Sequence, residues 1–232
     1  MRITLASDAG KPDWPNEDFA AVAPGAAVLL DGVTTPRGAD TGCVHGVAWY
    51  ARTLGTTFLS AITVEPHVPL GPALAGAIGD VRARHEDSCD LARPATPAAT
   101  VTAVRAAGDG IDYLALSDSS IAADLGDGHA PVIITDSHPA ASAGPGAALS
   151  ASTGTVPRSG LRGIALLSDG ATRITDRYGL LSWSAVLGII RGRGPGELIR
   201  QVRAAEAGDP DGLRWPRGKA RDDATIVYWH QD

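Results

Sequence analysis

Apolar positions along this chain follow two periods, and the alternation between them lays out the fold. Short apolar and β-branched runs between turn signals predict strands at 2–7, 18–23 and 26–31, the last two separated by Pro24-Gly25. From Asp40 to about Ile62 the period changes. Val44, Val47, Ala51, Leu54, Phe58 and Ile62 recur every three or four residues, which predicts a helix whose start Asp40 or Thr41 can cap. A second helix is predicted from about Leu70 to Arg84, with Leu74, Ala77, Ile78 and Val81 on one face. After the Pro-containing loop from Arg93 to Pro97, strands are predicted at 99–107, 110–117, 120–125 and 131–135, joined by turns such as Gly108-Asp109-Gly110 and Gly126-Asp127-Gly128. Residues 139–160, rich in Ala, Ser, Gly and Pro, read as a flexible loop or reduced flap. A strand at 161–168 leads into helical sequence, where Pro195 suits a helix start, Leu198, Ile199, Val202 and Ala205 form a stripe, and Gly208 suits its end. Ala224–Trp229 is a final strand. This order predicts a single α+β domain over residues 1–232, a sandwich in which helices cover antiparallel sheets.

Composition narrows the function. A length of 232 residues can bury a two-layer core, and 44% hydrophobic with 20% charged residues is ordinary for a globular chain. The net charge of −6 leaves no basic excess for a general nucleic-acid binder. No apolar run approaches the roughly 20 residues that span a bilayer. The opening MRITLASDAGKPDW reads as a strand and a turn without signal-peptide character, so a cytoplasmic, monomeric protein without a membrane partner is expected. Cys43 and Cys89 form no CxxC pair and have no evident partner cluster, so a structural zinc is not expected.

The chemistry lies in five acidic motifs: NED at Asn16-Glu17-Asp18, LLDG ending at Asp31-Gly32, LSDSS around Asp118, LLSDG around Asp169, and RDDAT at Asp222-Asp223. In three of them an apolar run meets an Asp and then a small or turn-forming residue, which is how a buried strand delivers a carboxylate to the rim of a sheet. Carboxylates gathered at one rim repel each other and are costly to bury. A hard divalent cation such as Mg²⁺ or Mn²⁺, which takes oxygen ligands, resolves that cost.

In order and approximate spacing, NEDF, VLLDG, the Thr100 region, LSDSS, LLSDG and RDDATIVYW resemble the metal-dependent protein phosphatases of the type-2C (PPM) family, in its bacterial form, from about residue 5 to residue 230. The resemblance implies a four-layer α-β-β-α sandwich and a binuclear Mg²⁺/Mn²⁺ centre. It implies that Asp31 bridges two metals, that Asp169 and Asp222 complete the first, and that Glu17 and the Gly32 carbonyl serve the second. Asp18 would orient water, and Asp118 would share a third metal with Asp169. A water between the cations would act as a hydroxide nucleophile on a phosphomonoester, most directly phosphoserine or phosphothreonine in a protein. No G-x-S-x-G elbow offers a competing nucleophile.

The chain also departs from that pattern. Where the family usually carries a phosphate-binding Arg four residues before the Glu, this chain has Asp13. Arg37, Arg221 and Lys11 are the candidate replacements. Val33-Thr34-Thr35 replaces the usual Gly-Gly run, and His45 is a candidate general acid; His138 matches a family feature only loosely. Gly192-Arg193-Gly194-Pro195-Gly196 reads as a turn between helices, because its Pro removes a phosphate-binding donor. The segment from Arg214 to Lys219 reads as a loop near the site, in reach of a phosphorylated substrate. Two alternatives stay open: the same fold acting on a small phosphorylated metabolite, and a regulatory pseudophosphatase.

Overall fold

The computed structural model of the protein describes residues 2–36, 38–126 and 128–230. In chain order the strands are β1 (Arg2–Asp8), β2 (Phe19–Ala23), β3 (Ala26–Gly32), β4 (Ala99–Ala107), β5 (Gly110–Leu116), β6 (Ser120–Asp124), β7 (Val132–Ile134), β8 (Ser152–Pro157), β9 (Gly163–Leu167) and β10 (Ala224–His230). The helices are α1 (Val47–Val64) and α2 (Leu70–Ala83) between β3 and β4, the single turn α3 (Gly146–Leu149) before β8, and α4 (Asp169–Asp176), α5 (Trp183–Arg193) and α6 (Pro195–Ala207) between β9 and β10.

Among the described residues these strands form two five-stranded antiparallel sheets, in the orders β1-β10-β9-β6-β7 and β2-β3-β4-β5-β8. The side-chain alternation explains why they stack. In β3, Ala26, Val28 and Leu30 pack against α1 and α2, while Ala27 and Leu29 point at the other sheet. In β10, Ala224, Ile226 and Tyr228 pack under α4, α5 and α6, while Val227 and Trp229 join the layer between the sheets. Strands buried on both faces favour continuous apolar sequence, as in 26–30 and 226–229. Each fully buried Leu or Ile contributes about 1.5–3 kcal/mol relative to exposure. Three apolar layers thus separate four structural layers, α-β-β-α.

Two expectations need correction. The first helix does not start near Asp40 but at Val47, because Gly42 and Gly46 hold φ of 64° and 79°, which a right-handed helix cannot accommodate. Nor is 139–160 a loop throughout: Ser152–Pro157 pairs with β5 as the edge strand β8, preceded by α3. Its STGTVP sequence is too polar to read as a strand because only Val156 is buried.

Candidate metal centre

Register brings the acidic motifs to one end of both sheets. Asp31 lies at the end of β3 opposite Thr100, and Glu17 and Asp18 directly precede β2, whose first residue Phe19 pairs with Leu30. In the other sheet, β9 ends at Leu167 opposite both Ser120 and Ile226, so Asp118 before β6, Asp169 after β9 and Asp222 before β10 share that end. The two sheet ends are joined directly: the Asp169 N–H donates to Asp31 Oδ2 at 3.4 Å, and the Thr100 and Ser119 hydroxyls lie 2.6 Å apart.

Close approach here depends on glycine. A Cβ on Gly170 would collide with the Asp223 carbonyl, and one on Gly32 with Val47 and the Glu17 backbone. Ser117, before Asp118, takes a φ of 69°, an unusual conformation for a residue with a side chain, and is held by Asp136, whose N–H donates to the Ser117 carbonyl at 3.1 Å. Asp223 serves the backbone: its carboxylate accepts from the Gly10 N–H at 2.8 Å and the Glu17 N–H at 2.7 Å, tying the first loop to the last. That role for Asp223 was not legible in the sequence, where only the neighbouring Asp222 was singled out for the site.

Electrostatics at this rim are strained. Burial pushes the Asp31 carboxyl well above the usual range, and repulsion from Asp18, Asp169, Asp222 and Asp118 pushes it further. Asp18, only 8% exposed, is raised to about 7, chiefly by burial. The Thr225 and Ser168 hydroxyls beside Asp18 moderate this, yet both Asp18 oxygens are buried without a hydrogen-bond partner. Asp169 is raised by burial and by Asp222, against a lowering pull from Arg173. Asp222 is better compensated: Lys219 Nζ lies 2.7 Å from Oδ1, and the nearly buried Arg173 donates to Oδ2.

The side chains fit a hard divalent cation. All the converging donors are oxygens, four carboxylates press on Asp31, and the orphaned Asp18 oxygens are the cost that bound cations and their waters would offset. Glu17 lines a pocket of about 220 Å³ together with Asp222, Thr34, Lys11, Lys219, Arg221 and the half-exposed Trp14. Lys219 also donates to Thr34 Oγ1 at 2.9 Å, and Thr34 in turn donates to Glu17. Of the candidate phosphate ligands, Arg221 and Lys11 line this pocket, whereas Arg37 lies outside the described residues. Lys219, which the sequence offered only as part of a nearby loop, joins Arg173 in pairing with Asp222. Asp13 is exposed, and His138 pairs with Asp136 at 2.7 Å.

His45 is placed differently. Its ring stacks on Trp49 at 4.1 Å, and its Nδ1 faces the thiols of Cys43 and Cys89, an arrangement that suits a ligand better than the expected general acid. The two cysteines do have a partner cluster, contrary to expectation: Cys43, His45, His85 and Cys89 converge.

Comparison with known proteins bears on the fold. No protein-family model matches the chain, and no curated protein sequence matches it. Among solved structures, the chain is similar to the Mycobacterium tuberculosis serine/threonine phosphatase PstP/Ppp, with a TM-score of 0.65 at 18% identity over 98% of this chain and 97% of that one. The PstP catalytic domain in complex with 2 manganese ions gives 0.62 at 17% identity, over 98% and 96%. Staphylococcus aureus Stp1, a serine/threonine phosphatase, gives 0.70 at 12% identity, over 99% and 94%. The fold is therefore that of the bacterial PPM-type phosphatases, matched along essentially the whole length of both chains.

Proposed function

We propose that this chain is a metal-dependent phosphomonoester hydrolase acting on phosphoserine or phosphothreonine in proteins. One observation carries the reading: Asp18, Asp31, Asp118, Asp169 and Asp222, drawn from separate elements, crowd one end of the sandwich, where burial and then carboxylate repulsion push up the carboxyls of Asp18, Asp31 and Asp169. A chain has no reason to assemble such repulsion unless a cation offsets it. Asp31, Asp169 and Asp222 would hold one Mg²⁺ or Mn²⁺, Asp31, Glu17 and the Gly32 carbonyl a second, and Asp118 with Asp169 a third. Such ions supply Lewis acidity, making water a nucleophile near neutral pH and offsetting charge on phosphoryl oxygens.

The remaining work falls to the chain's own residues. Lys219, Lys11 and Arg221 put positive charge around the pocket, where a phosphate dianion can be drawn in and oriented. Lys219 is held by Thr34 and Asp222, so its ammonium is fixed in direction. Asp18, buried with free acceptor oxygens, orients the attacking water by accepting its hydrogen bond. Asp223 and the glycines at 32 and 170 hold the loops in register.

The small pocket and the acidic Asp13 also suit a second substrate class, a small phosphorylated metabolite. EDTA-stripped protein, supplied with Mn²⁺ or Mg²⁺, would be assayed on an aryl phosphate, a phosphothreonine peptide and a panel of phosphorylated metabolites, with Asp31→Asn as the control. Metal-dependent turnover of the peptide supports the primary reading, and turnover confined to metabolites shifts the substrate class. No turnover on any substrate makes the chain a pseudophosphatase and overturns the proposal.

A further inference from the structure

Away from the acidic rim, four side chains with softer donors meet. Cys43 and His45 precede α1, and His85 and Cys89 follow α2, so the α1–α2 hairpin returns the chain to its starting end and sets the two pairs side by side. Cys89 Sγ lies 3.3 Å from Cys43 Sγ and 3.5 Å from His45 Nδ1; Cys43 Sγ lies 3.8 Å from His45 Nδ1 and 3.7 Å from His85 Nδ1. All four donor atoms fall within 4.8 Å of one another. Tetrahedral zinc, with Zn–S near 2.3 Å and Zn–N near 2.0–2.1 Å, puts sulfurs about 3.8 Å apart and sulfur about 3.5 Å from nitrogen. These four of the six edges agree with that tetrahedron to within about half an ångström.

From this geometry we propose that Cys43, His45, His85 and Cys89 form a structural Zn²⁺ site, separate from the carboxylate centre. The donor set decides the metal: two thiolates with two imidazoles favour Zn²⁺ over Mg²⁺ or Mn²⁺, which prefer oxygen. Charge balances as well. Binding releases one proton from each thiol, so two thiolates and two neutral imidazoles around Zn²⁺ leave a net-neutral group, which can be buried. His85 is 2% exposed, and its Nε2 has no hydrogen-bond partner among the described residues; with Nδ1 on the metal, that Nε2 carries its hydrogen among the rings of Trp49 and Tyr50. Four protein ligands leave no open position, which marks a structural site rather than a catalytic one.

The surrounding loops are built to hold this cluster. Gly42, at φ 64°, accepts from the Asp90 N–H at 2.8 Å, and a side chain there would strike the Asp90 backbone. Zinc would staple 42–45 to 85–90 and close the open end of the hairpin. Val47, two residues beyond His45, abuts Gly32, so the staple braces the loop behind the acidic rim without touching it.

Cobalt substitution tests the site by a signal that carboxylates cannot give. Protein reduced with a phosphine and stripped of metal would be titrated with Co²⁺. One equivalent is expected to produce a thiolate-to-cobalt charge-transfer band and intense tetrahedral ligand-field absorption, both displaced by one equivalent of Zn²⁺. Cys43→Ser and Cys89→Ser should lose the charge-transfer signal in whole or in half, while Asp31→Asn should keep it. Wild-type protein with both thiols reduced that shows no thiolate–cobalt band overturns the proposal even if the cysteine variants fail to fold. A band unchanged in Cys43→Ser overturns it equally.

Discussion

At the scale of single residues, Asp31 is the side chain on which the rim turns. Its carboxyl is pushed upward by burial and by four neighbouring carboxylates, so neutralising it should help the metal-free protein. Asp31→Asn is expected to raise the melting temperature in EDTA by a few degrees, on the scale of about 1 kcal/mol, while abolishing the stabilisation that Mn²⁺ gives the wild type. Calorimetry with and without Mn²⁺ checks both halves, and an equal response of the two proteins to Mn²⁺ would count against the site. Lys219 makes a different prediction. Because it is exposed to the pocket and braced by Thr34 and Asp222, Lys219→Ala should raise KM for a phosphorylated substrate roughly tenfold, with a smaller change in kcat, by removing one charge-assisted contact. Steady-state kinetics at fixed Mn²⁺ reads this directly. The acidic residues themselves were legible because three of the five motifs carry an apolar run into an Asp, and the other two fall in order around them. Lys219 was less so, since a lysine in a polar loop looks like a solvated charge until the fold sets it against Asp222.

At the scale of elements, the strands that build the site were the easiest to read and the loops that aim it the hardest. β3 and β10 announce themselves through the apolar runs 26–30 and 226–229, because both of their faces are buried. The start of α1 misled because Val44 falls in helical phase with Val47 and Ala51, whereas the positive φ values of Gly42 and Gly46 open that stretch into a loop. β8 was hidden because an exposed edge strand needs little apolar sequence. Close packing of the β9–α4 turn against the β10 entry makes Gly170 the sharpest test at this scale. A methyl group there meets the Asp223 carbonyl, so Gly170→Ala should cost about 2 kcal/mol or more and lower Mn²⁺ affinity by separating Asp169 from Asp222. Denaturant unfolding together with metal titration checks this; an unchanged midpoint would show that the turn can relax.

For the whole molecule, the concentration of raised carboxyls makes stability depend on pH in an unusual direction. Asp18 moves from an ordinary 3.8 to about 7 on folding, chiefly through burial, and Asp31 and Asp169 shift the same way. Between those values the folded state binds more protons than the unfolded one, so metal-free stability falls as pH rises. Thermal melts in EDTA should therefore decline from about pH 5 to about pH 7.5, and Mn²⁺ should recover more at the higher pH, where more carboxylates are ionised to bind it. Long-range assembly is also where sequence reading ran out. The order of the acidic motifs foretold that they would meet, but Cys43 and His45 gave no sign of meeting His85 and Cys89. Their signal was a short-spaced Cys/His pair at each end of a helical hairpin, and it takes the antiparallel return of α2 along α1 to make it visible.

The central claim is that one end of this sandwich is a cation site made of carboxylates. Isothermal titration of EDTA-stripped protein with Mn²⁺ tests it most directly. Uptake of at least two ions per chain by the wild type, with loss of that uptake in Asp31→Asn, is the expected result. No uptake by the wild type, or the same uptake by the variant, would contradict it.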